Sequence, residues 1–196
     1  MATAGQPRPV DPPRPMRADA RRNFERLVAA AQEAFGEHGA DAPLDDIARR
    51  AGVGAGTLYR HFPTREALLE AAYRADIDDL AKLAYELLDK LPPEEALRTW
   101  VSEQVEYVMR KRALAATVKA VLDRDSPVMA WCKTQMRGAA AALLARAQEA
   151  GVVRPEVTPS DLLRLAHAVG YASEFAPEDS DRLLTYMLDG LRPQPT

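Results

Sequence analysis

Three side chains that can donate hydrogen bonds lie close together in one short segment of this 196-residue chain. Thr57, Tyr59 and Arg60 supply a hydroxyl, a phenol and a guanidinium group. Phosphate oxygens and base edges of nucleic acids accept hydrogen bonds from such groups. Gly54 and Gly56 precede them and carry no side chain that would obstruct the approach of another backbone. The segment therefore has the chemistry of a nucleic-acid contact.

Two short helices separated by a glycine turn are predicted to position this segment. Leu44, Ile47 and Ala48 recur at the i, i+3, i+4 spacing of one apolar helix face. Gly52 favours the left-handed backbone that ends a helix. A second helix over 55–61 then leaves its polar side chains on the outside. This arrangement is typical of a helix-turn-helix.

Residues 17–75 resemble the DNA-binding domain of the TetR family of bacterial transcriptional repressors. The motifs that carry the resemblance are IARRAGV at 47–53, GTLYRHF at 56–62 and TREALL at 64–69. They follow an opening helix whose matching residues are Phe24, Leu27, Val28, Ala31, Phe35 and Gly39. Beyond Arg74 the chain follows only the general pattern of that family's divergent helical second domain.

The resemblance implies that the second helix of the motif lies in the major groove, with phosphate contacts on either side. Arg60 would then pair with guanine, which contributes about 1–3 kcal/mol of base discrimination. Many family members carry Ser-Lys where this chain has Gly54-Ala55. Arg49 and Arg50 are equally consistent with solvated helix surface. The residues expected to contact DNA are Arg49, Arg50, Ala55, Gly56, Thr57, Tyr59, Arg60, His61 and Arg65.

The same resemblance implies a second domain whose helices enclose a pocket for a small-molecule effector. Such pockets are mostly apolar and hold a few polar groups. The candidate lining residues are aromatic, polar or methionine side chains, namely Trp100, Gln104, Tyr107, Met109, Trp131, Met136, His167 and Tyr171. The same residue types also occur in a plain helical core, and His167 fits that alternative as well.

Apolar and small residues form stripes along the last two predicted helices. Two such helices from each subunit would form a four-helix interface with two-fold symmetry, although both stripes could instead pack within one subunit. A dimer would place two recognition helices in successive major grooves and require a near-palindromic operator. The candidate interface residues are Leu162, Leu165, Ala166, Val169, Gly170, Leu184, Met187 and Leu188.

The chain as a whole is predicted to be all-α, because no segment shows the sustained alternation of a strand. We expect an N-terminal three-helix helix-turn-helix domain, joined by a long fourth helix to a C-terminal helical bundle. About nine helices are predicted, over about 18–38, 43–51, 55–61, 64–91, 94–110, 114–122, 127–150, 159–174 and 178–191.

Three regions are predicted along the chain. Residues 1–16 are rich in proline and lack an apolar period, so we expect a disordered arm. Such an arm could have no role, or its arginines could enter a neighbouring minor groove, in which case the contacts are Arg8, Arg14 and Arg17. Residues 17–75 form the predicted DNA-binding domain, and residues 76–196 form the ligand-binding and dimerisation domain.

Charge and composition argue against several classes of protein. The net charge of −3 argues against a non-specific DNA-coating protein. Residues 1–75 hold 11 arginines against 10 acidic residues, whereas the remainder is acidic. No run of 18 apolar residues predicts a membrane span, and no leader pattern predicts secretion. With a single cysteine, Cys132, the chain fits the reducing cytoplasm.

An enzyme is the alternative from a different class. His38, His61 and His167 lie far apart in sequence, and Cys132 has no base partner that the sequence identifies. The chain contains no GxSxG, HExxH, P-loop or CxxC motif. We therefore expect neither catalysis nor a metal or cofactor.

A bare interaction module is a third alternative, in which the helix-turn-helix is only structural. It predicts that Arg60→Ala and Tyr59→Ala are tolerated in every functional assay. The sequence favours a dimeric repressor that a small apolar or amphipathic effector releases from its DNA operator. An activator or a ligand-independent repressor would share these sequence features.

Overall fold

The computed structural model describes residues 18–121, 126–173 and 176–193, with the side chains of 111–121 left out. Helices dominate this part of the chain, and no strand occurs in it, so the predicted all-α class is confirmed. Its eight α-helices are α1 Ala18–His38, α2 Leu44–Arg50, α3 Ala55–His61, α4 Arg65–Lys90, α5 Pro93–Val121, α6 Pro127–Glu149, α7 Pro159–Ala172 and α8 Ser180–Asp189. Two 3₁₀ turns cover Gly39–Asp41 and Pro177–Asp179. The predicted arm at 1–16 and its arginines lie outside the described residues.

The described residues form eight α-helices where about nine are predicted, because two predicted helices are one. The sequence predicts separate helices over 94–110 and 114–122, whereas α5 runs without interruption over Pro93–Val121. The intervening residues, KRA at 111–113, include neither glycine nor proline. Arginine, lysine and alanine are all good helix formers, so nothing local ends the helix there.

A hydrogen-bonded glycine turn fixes the angle between α2 and α3. The Gly52 N–H donates to the Arg49 carbonyl at 3.0 Å, and the Val53 N–H donates to the Ala48 carbonyl at 3.0 Å. This bonding pattern closes a helix when the residue after the cap is left-handed. Gly52 has a φ of +63°, so the position favours glycine.

The three N-terminal helices close over a small apolar core. Leu27, Phe35, Ile47, Leu58 and Phe62 are each almost completely buried. Ile47 comes from α2 and Leu58 from α3, so both helices of the motif bury apolar side chains in the core to which α1 also contributes. Burial of such side chains contributes about 1.5–3 kcal/mol each. The core thereby sets which face of α3 remains outside.

Helix α4 connects this motif to the rest of the molecule. Its first turn is capped by Thr64, whose Oγ1 accepts a hydrogen bond from the Ala67 N–H at 3.2 Å. Its 26 residues span about 39 Å. Gln32 of α1 donates to Asp76 Oδ1 at 2.9 Å, and the Trp100 indole of α5 donates to the Leu80 carbonyl at 2.8 Å. Helix α4 is thus bonded to the first helix and to the C-terminal bundle.

The last two helices pack against α5. An added Cβ on Gly170 would lie 2.7 Å from Val108 Cβ, so glycine allows α7 to approach α5 closely. Arg98 of α5 donates to Thr185 Oγ1 of α8 at 2.8 Å. No helix among the described residues combines the length and apolar character needed to cross a bilayer.

Candidate functional site

The outer face of α3 presents the side chains that the sequence singled out. Tyr59 is 50% exposed, whereas the adjacent Leu58 is 1% exposed. Arg60 is exposed, and no ion pair or hydrogen bond holds its guanidinium among the described residues. Ala55 is also exposed and Thr57 is half-buried. The Tyr59 phenol and the Arg60 guanidinium therefore lie on the outer face of α3, and the opposite face of the helix is buried in the core.

The two glycines before this face are not required by packing. An added Cβ on Gly54 or Gly56 would meet no atom within 4 Å, and neither residue has a left-handed φ. Gly52 differs, because its φ of +63° restricts the position. The missing side chains at 54 and 56 thus leave bare backbone open to something outside the chain.

Arg49 and Arg50 are engaged in ion pairs on the surface of α2. Arg50 Nη1 lies 2.8 Å from Glu37 Oε2, and its Nε lies 2.8 Å from Asp46 Oδ2. Arg49 also pairs with Asp46. Hydrogen bonds that Arg49 and Arg50 donate lower the pKa of Asp46. Donation by Arg50 to the carboxylates of Glu37 and Asp46 raises the pKa of Arg50. Either guanidinium would have to share or leave a carboxylate to contact a phosphate.

Arg65 and His61, both predicted to contact DNA, make contacts within the domain. Arg65 Nη1 donates to the carbonyls of Ala40 and Ala42 at 2.9 and 2.6 Å. The His61 ring lies 6.2 Å from the Phe24 ring, centroid to centroid. The structure thus gives both residues a positioning role, with Arg65 tying the start of α4 to the α1–α2 connection.

A cavity of about 300 Å³ lies among α4, α5, α6 and α7. Five of the eight predicted lining residues border it, namely Gln104, Tyr107, Met136, His167 and Tyr171. The sequence missed the α4 wall, formed by Tyr73 and Ile77, and most of the α6 wall, which includes Met129, Cys132, Lys133 and Arg137. Tyr73 and Ile77 are one helical turn apart, a spacing that could have indicated a shared face.

Trp100, Met109 and Trp131 do not border this cavity, which corrects their predicted role. Trp100 is completely buried, with its indole bonded to α4. Met109 is half-buried and packs against the apolar core. Trp131 borders a different groove, between α1, α4 and α6, where Arg74 Cζ lies 4.4 Å from the ring centroid. A helix turns its successive residues to different sides, which separates Trp131 from Cys132.

The deep wall of the cavity is polar and uncharged. Gln104 Oε1 and the Tyr107 hydroxyl are buried and find no hydrogen-bond partner among the described residues. Burial raises the pKa of Tyr73 to about 12 and that of Cys132 to about 11, and it raises the pKa of Tyr107 as well. All three groups therefore stay protonated at neutral pH. Cations lie at the exposed edge instead, where Lys133 and Arg137 stand one turn apart on α6.

The predicted dimer stripe is largely used inside the chain. Leu162 and Ala166 are completely buried, and Leu184 is 3% exposed, so these side chains offer no surface to a second chain. Gly170 packs against Val108 of α5. These residues pack inside the chain because α7 lies against α5 and α6. Val169 is also buried, Met187 and Leu188 are half-buried, and Leu165 is exposed.

The structure joins a helix-turn-helix that has an exposed polar face to a helical domain that contains a cavity. This is the architecture of a helix-turn-helix regulator. Residues 27–72 match the model described as bacterial regulatory proteins, tetR family. Residues 92–193, more than half of the chain, match the model described as transcriptional regulator SbtR-like, C-terminal domain. The chain belongs to the TetR family and is a DNA-binding transcriptional regulator, which confirms the predicted family and function class.

Solved structures show the same relationship over most of the chain. A TetR transcriptional regulator from Streptomyces coelicolor is 38% identical, with a TM-score of 0.77 over 88% of this chain and 99% of that one. A TetR transcription regulatory protein from Mycobacterium vanbaalenii is 35% identical, with a TM-score of 0.75 over 91% and 100%.

The curated relatives match over the DNA-binding end alone. An HTH-type transcriptional regulator of Staphylococcus aureus (strain USA300) is 38% identical over 64 residues, or 32% of this chain and 35% of that protein. The match thus spans about a third of the length of these relatives. It supports the DNA-binding domain and says nothing of the second domain.

Proposed function

We propose that this protein is a dimeric repressor whose operator binding is released when a small-molecule effector fills the cavity. One observation carries the proposal: α4 belongs to both sites. Arg65, its first residue, is bonded to the loop before α2, while Tyr73 and Ile77 further along form a wall of the cavity. Displacement of that wall would move the helix-turn-helix with it.

Release requires that the effector bind more tightly to one of two positions of α4 than to the other. A ligand shifts a conformational equilibrium only by its difference in affinity for the two states. If effector and operator favour different positions of α4, each weakens the binding of the other by the same factor. Dimers and effector release are typical of the family, which supports this assignment.

A dimer would present two copies of α3 to successive major grooves, about 34 Å apart. Its operator would then be near-palindromic double-stranded DNA. Exposed apolar side chains on α7 and α8 are available for the interface, including Leu165 and Tyr186. Because the proposed partner is chromosomal DNA, we place the protein in the cytoplasm.

We assign the protein to binding and not to catalysis, without a metal or cofactor beyond the effector. Cys132 is a poor candidate nucleophile, since burial raises the pKa of its thiol to about 11. Within the described side chains, no group of three histidine, cysteine or acidic residues is arranged to hold a metal ion.

The test is a fluorescence-anisotropy titration of the full chain on the duplex that it selects from a random DNA library. The titration is repeated with a ligand that calorimetry has shown to occupy the cavity. We expect the ligand to lower operator affinity, and the operator to lower ligand affinity by an equal factor. Identical operator affinity with and without the bound ligand would refute effector release.

A further inference from the structure

We propose that the effector is a small amphipathic anion with an uncharged hydrogen-bond donor at its buried end and an anionic group at the cavity mouth. This inference rests on the proposed function, because it names the class of molecule that fills the same cavity. It depends on two buried polar atoms, on the apolar middle of the cavity and on the cations at its edge.

The buried end of the cavity requires a donor. Gln104 and Tyr107 are each more than nine-tenths buried, and Gln104 Oε1 and the Tyr107 hydroxyl have no partner among the described residues. A buried polar atom without a hydrogen bond is costly, so a ligand group that bonds to it gains affinity. Because Oε1 can only accept, the ligand must donate, as a hydroxyl does.

That buried donor should be uncharged, because burial away from water penalises a charge of either sign. Burial raises the pKa of Tyr107, and the nearby Asp76 carboxylate raises it further, so the local potential disfavours a second negative charge. Tyr73 and Cys132 remain neutral there as well, with pKa values of about 12 and 11. No cation lines the deep wall among the described residues.

The middle of the cavity accepts an apolar body about the size of one ring with a short tail. Ile77, Val108, Met129 and Leu163 line it from four different helices. A cavity of about 150 Å³ holds one benzene ring, so about 300 Å³ holds a ring and a few further atoms. The methionine side chains make favourable contacts with aromatic rings.

The mouth of the cavity is positively charged. Lys133 and Arg137 lie at i and i+4 on α6, where both are exposed and both border the cavity. The rings of His167 and Tyr171 on α7, which also border the cavity, are 5.0 Å apart. A carboxylate at this edge would accept charge-assisted hydrogen bonds, which are roughly twice as strong as neutral ones.

Isothermal titration calorimetry of the full chain tests this inference with four matched probes. They are 3-(4-hydroxyphenyl)propanoate, 3-phenylpropanoate, the methyl ester of the hydroxy acid, and tyramine. We expect the hydroxy acid to bind most tightly, with removal of its hydroxyl weakening binding about tenfold. The ester should also bind about tenfold more weakly, and tyramine should give no signal because its ammonium meets like charges.

Variants assign each preference to its side chains. Gln104→Leu combined with Tyr107→Phe keeps the side-chain shapes, removes both buried polar atoms and should bind the two acids with nearly equal affinity. Lys133→Gln combined with Arg137→Gln should bind the acid and the ester equally. Arg164→Gln changes an exposed arginine of α7 that does not border the cavity, so it should keep both preferences.

Tyramine or the ester binding as tightly as the hydroxy acid would overturn the inference. So would the absence of binding by both acids at millimolar concentration. DNA binding by the same preparation without ligand is measured in parallel. If the chain holds its operator but the probes fail, only the effector class is wrong, whereas failure on DNA rejects the proposed function itself.

Discussion

Leu58 and Tyr59 are adjacent in sequence, yet one is 1% exposed and the other 50%. The buried leucine fixes α3 on the domain core, and the exposed tyrosine stands beside Arg60 on the outer face. A single guanidinium can discriminate between bases only if its helix holds it in a fixed position and no carboxylate of the protein pairs with it. Arg60 meets both conditions among the described residues, and Arg49 and Arg50 do not meet the second.

Arg60→Ala should weaken operator binding by about 1–3 kcal/mol per half-site and relax the base preference at one position in each half-site. Thermal unfolding should be unchanged, because the side chain is exposed. Fluorescence anisotropy on the selected operator measures the loss. Arg164→Ala removes another exposed arginine, on α7, and should have no effect. Equal operator affinity for both variants would contradict a reading role for Arg60.

Gly56→Ala should raise stability and lower operator affinity. A glycine inside a helix costs about 1 kcal/mol relative to alanine, and the new Cβ meets no protein atom within 4 Å. The loss on DNA would come from obstructed backbone approach. Gly138→Ala in α6 is the matched control, since its Cβ meets only the Tyr85 hydroxyl at 3.6 Å. If Gly56→Ala binds the operator as tightly as Gly138→Ala, the open backbone has no role.

Cys132 should react slowly with iodoacetamide near neutral pH. Its thiol is buried, and with a pKa of about 11 only about one thiolate in a thousand forms at pH 8. Labelling followed by mass spectrometry should accelerate as pH rises toward 11, and cavity ligands should slow it. Rapid complete labelling at pH 7 would mean that the cavity wall is open.

The exposure of individual side chains on α3 could be predicted from the sequence, because helical periodicity places Leu58 and Tyr59 on different faces. The engagement of Arg65 and His61 could not. Arg65 bonds to carbonyls more than 20 residues earlier, and His61 packs on Phe24 of α1. Local sequence carries no signal for partners that only the folded chain brings close.

Helix α6 links cavity and groove through neighbouring residues. Cys132 borders the cavity, while Trp131 faces the groove and stacks on Arg74 of α4. A cation held over an aromatic ring is stabilised by about 0.5–2 kcal/mol. If a ligand rotates α6, this contact would therefore transmit the displacement to α4.

Trp131→Leu should leave ligand affinity and the operator affinity of the free chain nearly unchanged while weakening their coupling. A residue on a coupling route changes the coupling by about 0.5–2 kcal/mol. Operator titrations with and without bound ligand measure it. Tyr85→Leu removes an exposed aromatic of α4 and should keep full coupling. Unchanged coupling in Trp131→Leu would place the route elsewhere.

Helix ends were more predictable than helix sides. The Thr64 cap and the glycines at 39, 52 and 151 mark helix ends in the structure, as their chemistry indicates. The side of α6 that faces the cavity was not evident. This helix is rich in alanine and buries several faces, so its periodicity does not single out one direction. Residue type alone predicts Trp131 in the pocket, whereas the structure places it at the groove between α1, α4 and α6.

The dimer remains a prediction about the whole molecule. Periodicity found the apolar face of α7, yet it could not tell contacts within the chain from contacts with a partner. Leu162 and Ala166 are buried within the chain. Leu165 is therefore the exposed apolar residue among the α7 residues predicted for the interface.

Leu165→Glu should convert the dimer to a monomer and weaken operator binding about hundredfold or more, because the second half-site is lost. Light scattering coupled to size exclusion measures the mass. Tyr85→Glu places the same charge at an exposed apolar position of α4 and should leave the dimer intact. A Leu165→Glu protein that stays dimeric would move the interface away from this face.

The most direct test of the account is selection of duplexes from a random DNA library by the purified full chain. We predict enrichment of one near-palindrome whose half-site centres lie about 34 Å apart, as two copies of α3 in successive major grooves require. Recovery of sequence-blind binding that salt abolishes would contradict site-specific reading by α3.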